Sequence, residues 1–475
     1  MTEPSSSQPL RPDTAHPLLE LLSLAGPTVA QMASYTVMQF VDTWMLSRVG
    51  IDEPTAAANS GLFAFSIMSF GMGVLWVVNT LASQSFGRKD FQACGRYLWQ
   101  GIWFSLAFAT LLAPAAFFSE AAFRWFGHSP ALVRQEGAYF RIALSFTVVK
   151  LIGTALGQFL LAVDRPGAVM LSAVCGVGMN VLAAWALIFG RLGFSAHGVL
   201  GSAWGQNIGV CVETGVLIAC VIAPSVRKRF NSLDWPPRRA EMGALLRIGI
   251  ASGGQLIADV LAWTLFGLWV MGQFGTTAMA ANTFMMRYMV VSFMPAFGIS
   301  VAVTALVGRY IGAGRPDIAM KRAHLAFAVS AAYMTVCGLL FFLGRNQLIG
   351  LFTQDPKVRA TGATLLTFAA IYQFFDAMYI VYNGALRGAG DTLVPAVATA
   401  GLCWGINVFG GFGVARCCPR LGPAGPWALA TAYGIILGIF MYRRFARGEW
   451  AEIRLDERDR RPSKLPIDSA TVVSS

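Results

Sequence analysis

The chain alternates long apolar runs with short polar connections, a pattern typical of helices that cross a lipid bilayer. Each apolar run accommodates the roughly 20 residues that an α-helix needs to span the hydrocarbon core. We therefore predict an all-α integral membrane fold with twelve spanning helices. The predicted spans are residues 18–47, 58–85, 97–119, 136–162, 167–190, 198–223, 247–273, 280–307, 323–344, 361–386, 393–415 and 424–442.

The composition agrees with a membrane protein. Of the 475 residues, 56% are hydrophobic and only 13% are charged, and the mean hydropathy is +0.58. The net charge of +12 does not indicate nucleic acid binding, because the basic residues lie between apolar runs and form no continuous basic domain. We expect the lipid bilayer as a partner and no nucleic acid.

The distribution of Lys and Arg predicts the orientation of the chain. An even number of spans places both termini on one side, and most of the 36 Lys and Arg residues fall in segments on that same side. The positive-inside rule assigns those segments to the cytoplasm. We expect a multi-pass protein of the plasma membrane with both termini cytoplasmic.

A charged, Pro-rich segment, residues 224–241, divides the spans into two sets of six and marks a domain boundary. The predicted organisation is a cytoplasmic tail over 1–17, an N-lobe over 18–223, a cytoplasmic linker over 224–246, a C-lobe over 247–445 and a second cytoplasmic tail over 446–475.

Short motifs recur in the two halves at nearly constant spacing. The recurring pairs are Asn59 and Asn282, Gly73 and Gly298, Gly87 and Gly312, Phe126 and Phe352, and Asp164 and Asp391. Because each half has six spans, the two copies have the same orientation, and we predict that a pseudo-two-fold axis along the membrane normal relates two six-helix bundles. A central cavity between the bundles follows from that arrangement.

A polar stripe in the tenth span is the first candidate site. Asp376 lies near the middle of an apolar run, and on a helix Tyr372, Tyr379 and Asn383 fall on its face. A carboxylate at the centre of a spanning helix costs roughly 2.5 to 3.5 kcal/mol, which favours a functional role such as ion binding. The alternative is a structural Asp that accepts a hydrogen bond from a backbone donor.

The seventh span carries a second carboxylate, Asp259, with Gln255 and Trp263 one helical turn to either side. Two carboxylates in one bundle could bind a hard cation such as Na⁺, or share a proton. The predicted cation ligands are Asp259, Asp376 and Tyr372. Further candidates for substrate binding or proton coupling in this half are Gln255, Tyr379 and Asn383. A structural Asp is again the alternative.

The first span carries a similar stripe, because Gln31, Tyr35, Gln39 and Asp42 recur at helical spacing. It could carry a proton switch or attract a cationic substrate. Asp42 lies near the outer end of the span, where a solvated carboxylate is the alternative reading. Asn180 in the fifth span is a candidate neighbour, and its alternative role is a hydrogen bond between helices.

The repeat places Lys150 where the other half has Asp376. We hypothesise that Lys150 neutralises Asp42 or Glu213 in the N-lobe, which would leave cation coupling mainly to the C-lobe. The alternative is a lysine whose side chain extends to the inner membrane interface.

Several motifs together resemble the multidrug and toxic compound extrusion (MATE) family over residues 20–445. They are QMASYTVMQFVDTWMLSRVG, ASQSFGRKD, FGTTAMAANTFMM, VGRYIGAGRPDIAMKRA, LFTQDPKV and DAMYIVYNGALRGAGDT. The resemblance implies a monomeric, two-lobed secondary transporter of the bacterial inner membrane. It would export organic, mainly cationic, compounds in exchange for Na⁺ or H⁺ by alternating access.

The resemblance also bears on the site residues. Asp259, Asp376, Asp42 and Asn180 match polar positions of the family, although sodium-coupled members often have Glu where Asp259 stands. No covalent catalysis and no cofactor beyond the coupling ion are expected, so the protein would not be an enzyme.

Two other functions remain open. One is a lipid-linked oligosaccharide or lipid flippase of a related fold, whose cavity should be strongly cationic, whereas the intramembrane acids of this chain outnumber its bases. The other is an ion-gated channel or receptor.

Overall fold

A computed structural model describes residues 16–50, 52–125, 128–453 and 455, and these contain helices but no strand. Most of the predicted tails and Phe126 lie outside the described residues. The twelve long helices are α1 Pro17–Leu46, α2 Asp52–Gly87, α3 Phe91–Leu112, α4 Pro130–Ser145 with Thr147–Ala162, α5 Pro166–Phe189, α6 Val199–Ile222, α7 Arg239–Leu265, α8 Gly275–Gly312, α9 Pro316–Leu343, α10 Pro356–Ala389, α11 Leu393–Leu402 with Gly411–Cys417, and α12 Ala424–Ala446.

Within the described residues, nine helical stretches are long and apolar enough to cross a membrane, or ten if the bent pair in α4 is one span. One of the nine, Arg239–Gly312, contains both α7 and α8. The remaining long helix is α1, with 30 residues. All twelve predicted spans are therefore present as helices, and the all-α membrane fold is confirmed.

Proline and short polar side chains set the beginnings of many helices. Pro166, Pro316 and Pro356 occupy the first helical turn, where a missing backbone N–H costs nothing. The side chains of Asp90 and Asp355 accept hydrogen bonds from the first free backbone N–H groups of α3 and α10. Polar caps at the ends of apolar runs thus define where each span begins.

The predicted linker is shorter than expected. The sequence predicts a linker over 224–246. In the structure α7 begins at Arg239, and Pro224–Phe230 forms a short helix of its own. The first turn of α7 is polar, so a helix boundary that is placed by hydropathy leaves this turn out of the helix. The linker packs against α3, because Trp99 Nε1 donates to the Ser232 carbonyl oxygen at 2.8 Å.

Three of the long helices are broken. The two parts of α4 meet at a bend of 47°. A π-helical segment, Phe266–Val270, continues α7, and a longer one, Cys403–Gly410, interrupts α11. A π-helical turn widens the helix and turns side chains away from their ordinary register, and such turns occur often at functional sites.

The helices form two bundles that follow the sequence repeat. In the first half α2 packs on α3 and α4, and α5 packs on α6 and α1; in the second half α8 packs on α9 and α10, and α10 packs on α12. Between the halves, α1 packs on α8 and α7 packs on α2, and these are equivalent pairs under the repeat.

Among the described residues, the polar contacts between the bundles lie toward the end at which α1 begins and α12 ends, which we name the closed end. Within the described residues, the hydrogen bonds and ion pairs between α1–α6 and α8–α12 all lie in that half. They join Thr28 to Gly298, Thr80 to Arg387, Gln84 to Gly388, Glu20 to Tyr310 and Arg322, and Asp164 to Arg309.

At the opposite end each bundle has its own apolar core. One core is built from the first half, around Phe123, Phe140 and Ile188, and the other from the second half, around Phe266, Met285 and Trp427. The space between the bundles therefore opens toward the end that lacks the termini.

Candidate functional site

The tenth helix places its polar stripe as the sequence predicts. Asp376 is 6% exposed, and its carboxylate interacts electrostatically with that of Asp259 on α7. In the part of the chain that the structure describes, Asp376 has neither a basic partner nor a hydrogen-bond donor. The structural alternative for Asp376, a carboxylate held by a backbone donor, is therefore wrong.

The neighbour of Asp259 comes from the broken helix α11. The Cys403 thiol lies 3.8 Å from Asp259 Oδ1 and belongs to the first turn of the π-helical segment. Asn407 Nδ2 lies 3.9 Å from the same sulfur. The wide π turn thus directs a thiol and an amide toward a carboxylate that has no basic partner among the described residues.

Gln255 connects α7, α10 and α11 one helical turn below Asp259. Its amide nitrogen lies 2.9 Å from Thr399 Oγ1, 3.2 Å from Asn383 Oδ1 and 3.4 Å from the Tyr379 hydroxyl. All three predicted candidates of the C-lobe, Gln255, Tyr379 and Asn383, therefore belong to one network. Thr399 was not predicted, because a threonine in an apolar run gives no distinctive signal.

Aromatic side chains enclose the carboxylates. The rings of Tyr372 and Trp263 meet edge to face with centroids 6.0 Å apart, and Tyr372 lies one helical turn before Asp376 on α10. Tyr433 on α12 adds a third hydroxyl near Asp259 and is 1% exposed. Sequence reasoning missed Tyr433, because α12 contains no acidic residue that would distinguish it.

A cavity lies between the bundles next to this network, and its empty volume of about 480 Å³ includes space that is open to solvent. It is lined by Trp76, Ser252, Gln255, Leu256, Asp259, Phe293, Phe297, Ser300, Tyr379, Ile380, Asn383 and Arg387. Asp259 thus lines the cavity, whereas Asp376 is not one of its lining residues. The lining carries one acid and one base, Arg387, which the sequence analysis did not single out.

In the first half, Asp42 is buried and lies among polar side chains. It is only 4% exposed, and Gln206 Nε2 donates to its Oδ2 at 3.3 Å. Asn180 and Tyr139, both buried, are close enough to interact with it. The alternative of a solvated helix-end carboxylate is therefore wrong for Asp42, because side chains of α4 and α6 cover the end of α1.

A separate polar cluster lies about two to three helical turns away on α1. The Tyr35 hydroxyl donates to Glu213 of α6, and Gln31 Nε2 donates to the Tyr35 hydroxyl at 3.1 Å. Gln39 is exposed and belongs to neither cluster. The predicted stripe of α1 is therefore divided into two sites with different partners.

The ion pair hypothesised for Lys150 does not form. Its ammonium group donates to the Ala143 carbonyl oxygen at 3.4 Å, and it has no acidic partner among the described residues. Ala143 lies just before the bend of α4, where the regular helical hydrogen bonds are interrupted. Lys150 therefore satisfies a backbone carbonyl and does not neutralise Asp42 or Glu213.

The family profile named MatE matches residues 27–186 and 258–412. The chain belongs to the MATE family. The twelve helices in two bundles, with a cavity between them, fit that family. MATE proteins are transporters, so this multi-pass membrane protein is not an enzyme.

Two bacterial relatives carry the name "Probable multidrug resistance protein NorM". The protein of Mesorhizobium japonicum is 29% identical over 401 residues, which cover 82% of this chain and 85% of the relative. The protein of Aromatoleum aromaticum is 30% identical over 403 residues, which cover 82% and 84%.

The solved structures of MATE transporters share the fold. A structure entitled as the outward-facing conformation of a multidrug resistance MATE family transporter superposes with a TM-score of 0.83 at 17% identity, covering 94% of this chain and 99% of that one. This MATE chain thus has the two-lobed architecture that the repeat predicts.

Proposed function

We propose that this MATE protein is a multidrug efflux transporter that exports organic, mainly cationic, compounds in exchange for Na⁺ or H⁺. The observation that carries the proposal is the pair Asp259 and Asp376, one half-buried and one buried, which interact electrostatically and have no basic partner among the described residues. Two carboxylates at close range in a medium of low dielectric cannot both remain ionised without a counter-charge. A proton or a sodium ion from outside would supply that charge.

The donors around the pair suit either ion. Carboxylate oxygens with the Tyr372 hydroxyl are the hard oxygen ligands that Na⁺ requires, and the same carboxylates can share a proton. Gln255 lies one helical turn from Asp259, Tyr379 and Asn383 lie on the face of Asp376, and all three line the cavity, so a movement of α7 or α10 on ion binding would change the lining. Asp259, Asp376 and Tyr372 thus bind the coupling ion, and the hydrogen-bond network of Gln255, Tyr379 and Asn383 changes its arrangement when the ion binds.

The N-lobe would contribute a second acidic site. Asp42 has an oxygen atom, Oδ1, that is buried without a hydrogen-bond partner, and both polar atoms of Asn180 are in the same condition. The Asp42 carboxylate can accept a proton, and the Asp42 and Asn180 oxygen atoms can contact a cation, when the transporter changes state. Tyr35 and Gln39 lie on the same helix and are candidates for contact with the substrate.

Transport follows from alternating access between the lobes. With the closed end in the cytoplasm, the cavity faces outside, and an ion that binds from there shifts the equilibrium only through its different affinity for the two states. The protein would act as a monomer in the bacterial inner membrane with both termini cytoplasmic. The flippase alternative is less well supported, because the cavity lining carries one base, not the several that a pyrophosphate group would require.

Transport in proteoliposomes tests the proposal. Uptake of a fluorescent organic cation would be measured with sodium and pH gradients imposed separately on wild type, Asp259→Asn and Asp376→Asn. One gradient should drive wild-type flux, and both variants should lose that dependence. Glu452→Gln, an exposed acid outside the bundles, is the matched control and should behave as wild type. Flux that responds to neither gradient would refute ion coupling.

A further inference from the structure

Arg387 is a buried cation in the wall of the central cavity. The residue is 7% exposed, and it lines the cavity together with Asp259, Gln255 and Asn383. In the part of the chain that the structure describes, its guanidinium group takes part in no ion pair and donates no hydrogen bond. A guanidinium group has five N–H donors and almost never lies buried unless it is paired. The donors therefore remain for a ligand.

The position of Arg387 on α10 explains why its side chain reaches the cavity. It lies in the last two turns of the helix, and Cα–Cβ bonds tilt toward the helix N-terminus, so its side chain rises along the face of Asn383 and Tyr379. The guanidinium carbon lies 4.7 Å from the centre of the Trp76 ring. The Trp76 contact orients the planar guanidinium group and leaves its N–H edge available.

A basic residue near the end of a helix also interacts favourably with the helix dipole. That interaction explains why a positive charge is tolerated at this place. It does not use the five directional N–H donors, and it gives no reason for the side chain to line a cavity. The structural role and a ligand-binding role are thus separable by experiment.

The rest of the lining suits a flat, apolar ring system. The ring centroids of Trp76 and Phe297 are 5.3 Å apart, and those of Phe293 and Phe297 are stacked at 5.6 Å. Asp259 lines the same cavity as Arg387. The cavity thus combines an aromatic surface with one acidic and one basic side chain.

We propose that Arg387 binds a carboxylate of those exported compounds that carry one, so that a planar aromatic cation with a carboxylate binds more tightly than the same cation without it. This inference rests on the proposed function as an exporter of organic compounds and specifies their chemistry. The ring system would lie against Trp76, Phe293 and Phe297. The amine of the compound would lie toward Asp259, and its carboxylate would accept two hydrogen bonds from the guanidinium group.

The experiment compares two dyes that differ at one group: a rhodamine with a free carboxylate and its methyl ester. Equilibrium binding of each dye to the purified protein in detergent is measured without any ion gradient. Wild type should bind the carboxylate form more tightly than the ester. Arg387→Gln should weaken binding of the carboxylate form by about tenfold, the loss expected for a charge-assisted hydrogen bond, and leave the ester unaffected.

Two further variants serve as controls. Arg387→Lys keeps the charge without the planar fork, so it should retain part of the preference for the carboxylate form. Arg287→Gln removes an exposed arginine of α8 that does not line the cavity, and it should bind both dyes as wild type does. If Arg387→Gln does not fold, the ratio of the two affinities in wild type and Arg387→Lys decides the question.

Three results would overturn the inference: equal or tighter binding of the ester by wild type, an equal loss of both dyes in Arg387→Gln, or binding of neither dye by wild type. An equal loss would mean that Arg387 only supports Trp76. The binding measurement uses no gradient, so a preference for the carboxylate form does not depend on ion coupling. Transport that is independent of Na⁺ and H⁺ would therefore refute only the coupling and not the role of Arg387.

Discussion

Gly87 and Gly312 stand at equivalent positions of the repeat, and each lies against the backbone of the other's helix. A Cβ atom on Gly87 would lie 2.0 Å from the Arg309 carbonyl oxygen, and a Cβ atom on Gly312 would lie 2.0 Å from the Gln84 carbonyl oxygen. Such an approach is possible only without a side chain. The two lobes therefore meet backbone to backbone at the closed end.

We expect Gly87→Ala and Gly312→Ala to separate the lobes at the closed end. The added methyl group has no space, and overpacking of this kind costs about 1–3 kcal/mol. The apparent melting temperature in detergent should fall. In a cysteine-free background, a cysteine introduced by Ser83→Cys at the same contact should become more reactive toward maleimide, because Ser83 faces Gly308 across the closed end.

Gly61→Ala is the matched control in the same helix as Gly87. A Cβ atom there would meet nothing within 4 Å, so the substitution should preserve stability and leave the Ser83→Cys thiol protected. If Gly87→Ala resembles Gly61→Ala in both measurements, the backbone contact does not hold the closed end together.

The repeat predicted much of this architecture from the sequence alone. The apolar runs predicted the twelve helices, and the recurring glycines predicted that Gly87 and Gly312 occupy equivalent positions. The carboxylates Asp259 and Asp376 were found because an acid in an apolar run is costly and therefore conspicuous. Cys403 and Tyr433 were missed, because they become neighbours of Asp259 only when α11 and α12 pack against α7.

Lys150 shows where an argument from the repeat fails. Its alignment with Asp376 suggested an acidic partner, but α4 is bent where α10 is continuous, so the two side chains have different surroundings. Asp42 shows a second limit. Its position near the helix end left a solvated carboxylate open as an alternative, whereas Gln206 and Tyr139 from other helices bury it.

Glu20 and Arg322 form a buried ion pair across the lobes, with a distance of 2.6 Å and side-chain exposures of 6% and 8%. Glu20→Gln would leave Arg322 buried without a counter-charge, and breaking such a pair costs about 3–5 kcal/mol. We expect this variant to lower the melting temperature and to favour opening of the closed end. Cross-linking of cysteines introduced on α1 and α9 would measure that opening.

The paired replacement Glu20→Leu with Arg322→Met is the control for this ion pair. Two apolar side chains of similar size leave no unpaired charge, so the double variant should be more stable than Glu20→Gln alone. A double variant less stable than the single one would show that each side chain stabilises the protein through other contacts, such as the hydrogen bond from Tyr310 to Glu20.

Lys150→Met should reduce stability without altering ion dependence. The substitution removes the donor to the Ala143 carbonyl oxygen at the bend of α4, and an unpaired buried carbonyl costs about 1–3 kcal/mol. Transport should keep its dependence on sodium and pH, because no carboxylate pairs with Lys150 among the described residues. Lys321→Met, an exposed lysine of α9, is the control and should change neither property. If Lys150→Met changed the pH dependence of transport without changing stability, Lys150 would have a direct role in ion coupling.

The contact between Tyr35 and Glu213 ties α1 to α6 within the first lobe, and its strength can be measured by a double-mutant cycle. Hydrogen bonds between membrane helices contribute about 0.6 kcal/mol on average and up to about 1.7 kcal/mol, so Tyr35→Phe and Glu213→Gln should each lower the free energy of unfolding by an amount in that range. The double variant should lose little more stability than the more destabilised of the two single variants, because both substitutions remove the same contact.

Gln39→Leu provides the reference for this cycle, since Gln39 is exposed on the same helix and belongs to neither polar cluster. It should combine additively with either single variant. If Tyr35→Phe and Glu213→Gln also combine additively, the two side chains do not stabilise the lobe through each other. Glu213 would then be an isolated intramembrane acid, available to bind a proton or a cationic substrate, because nothing would hold it to α1.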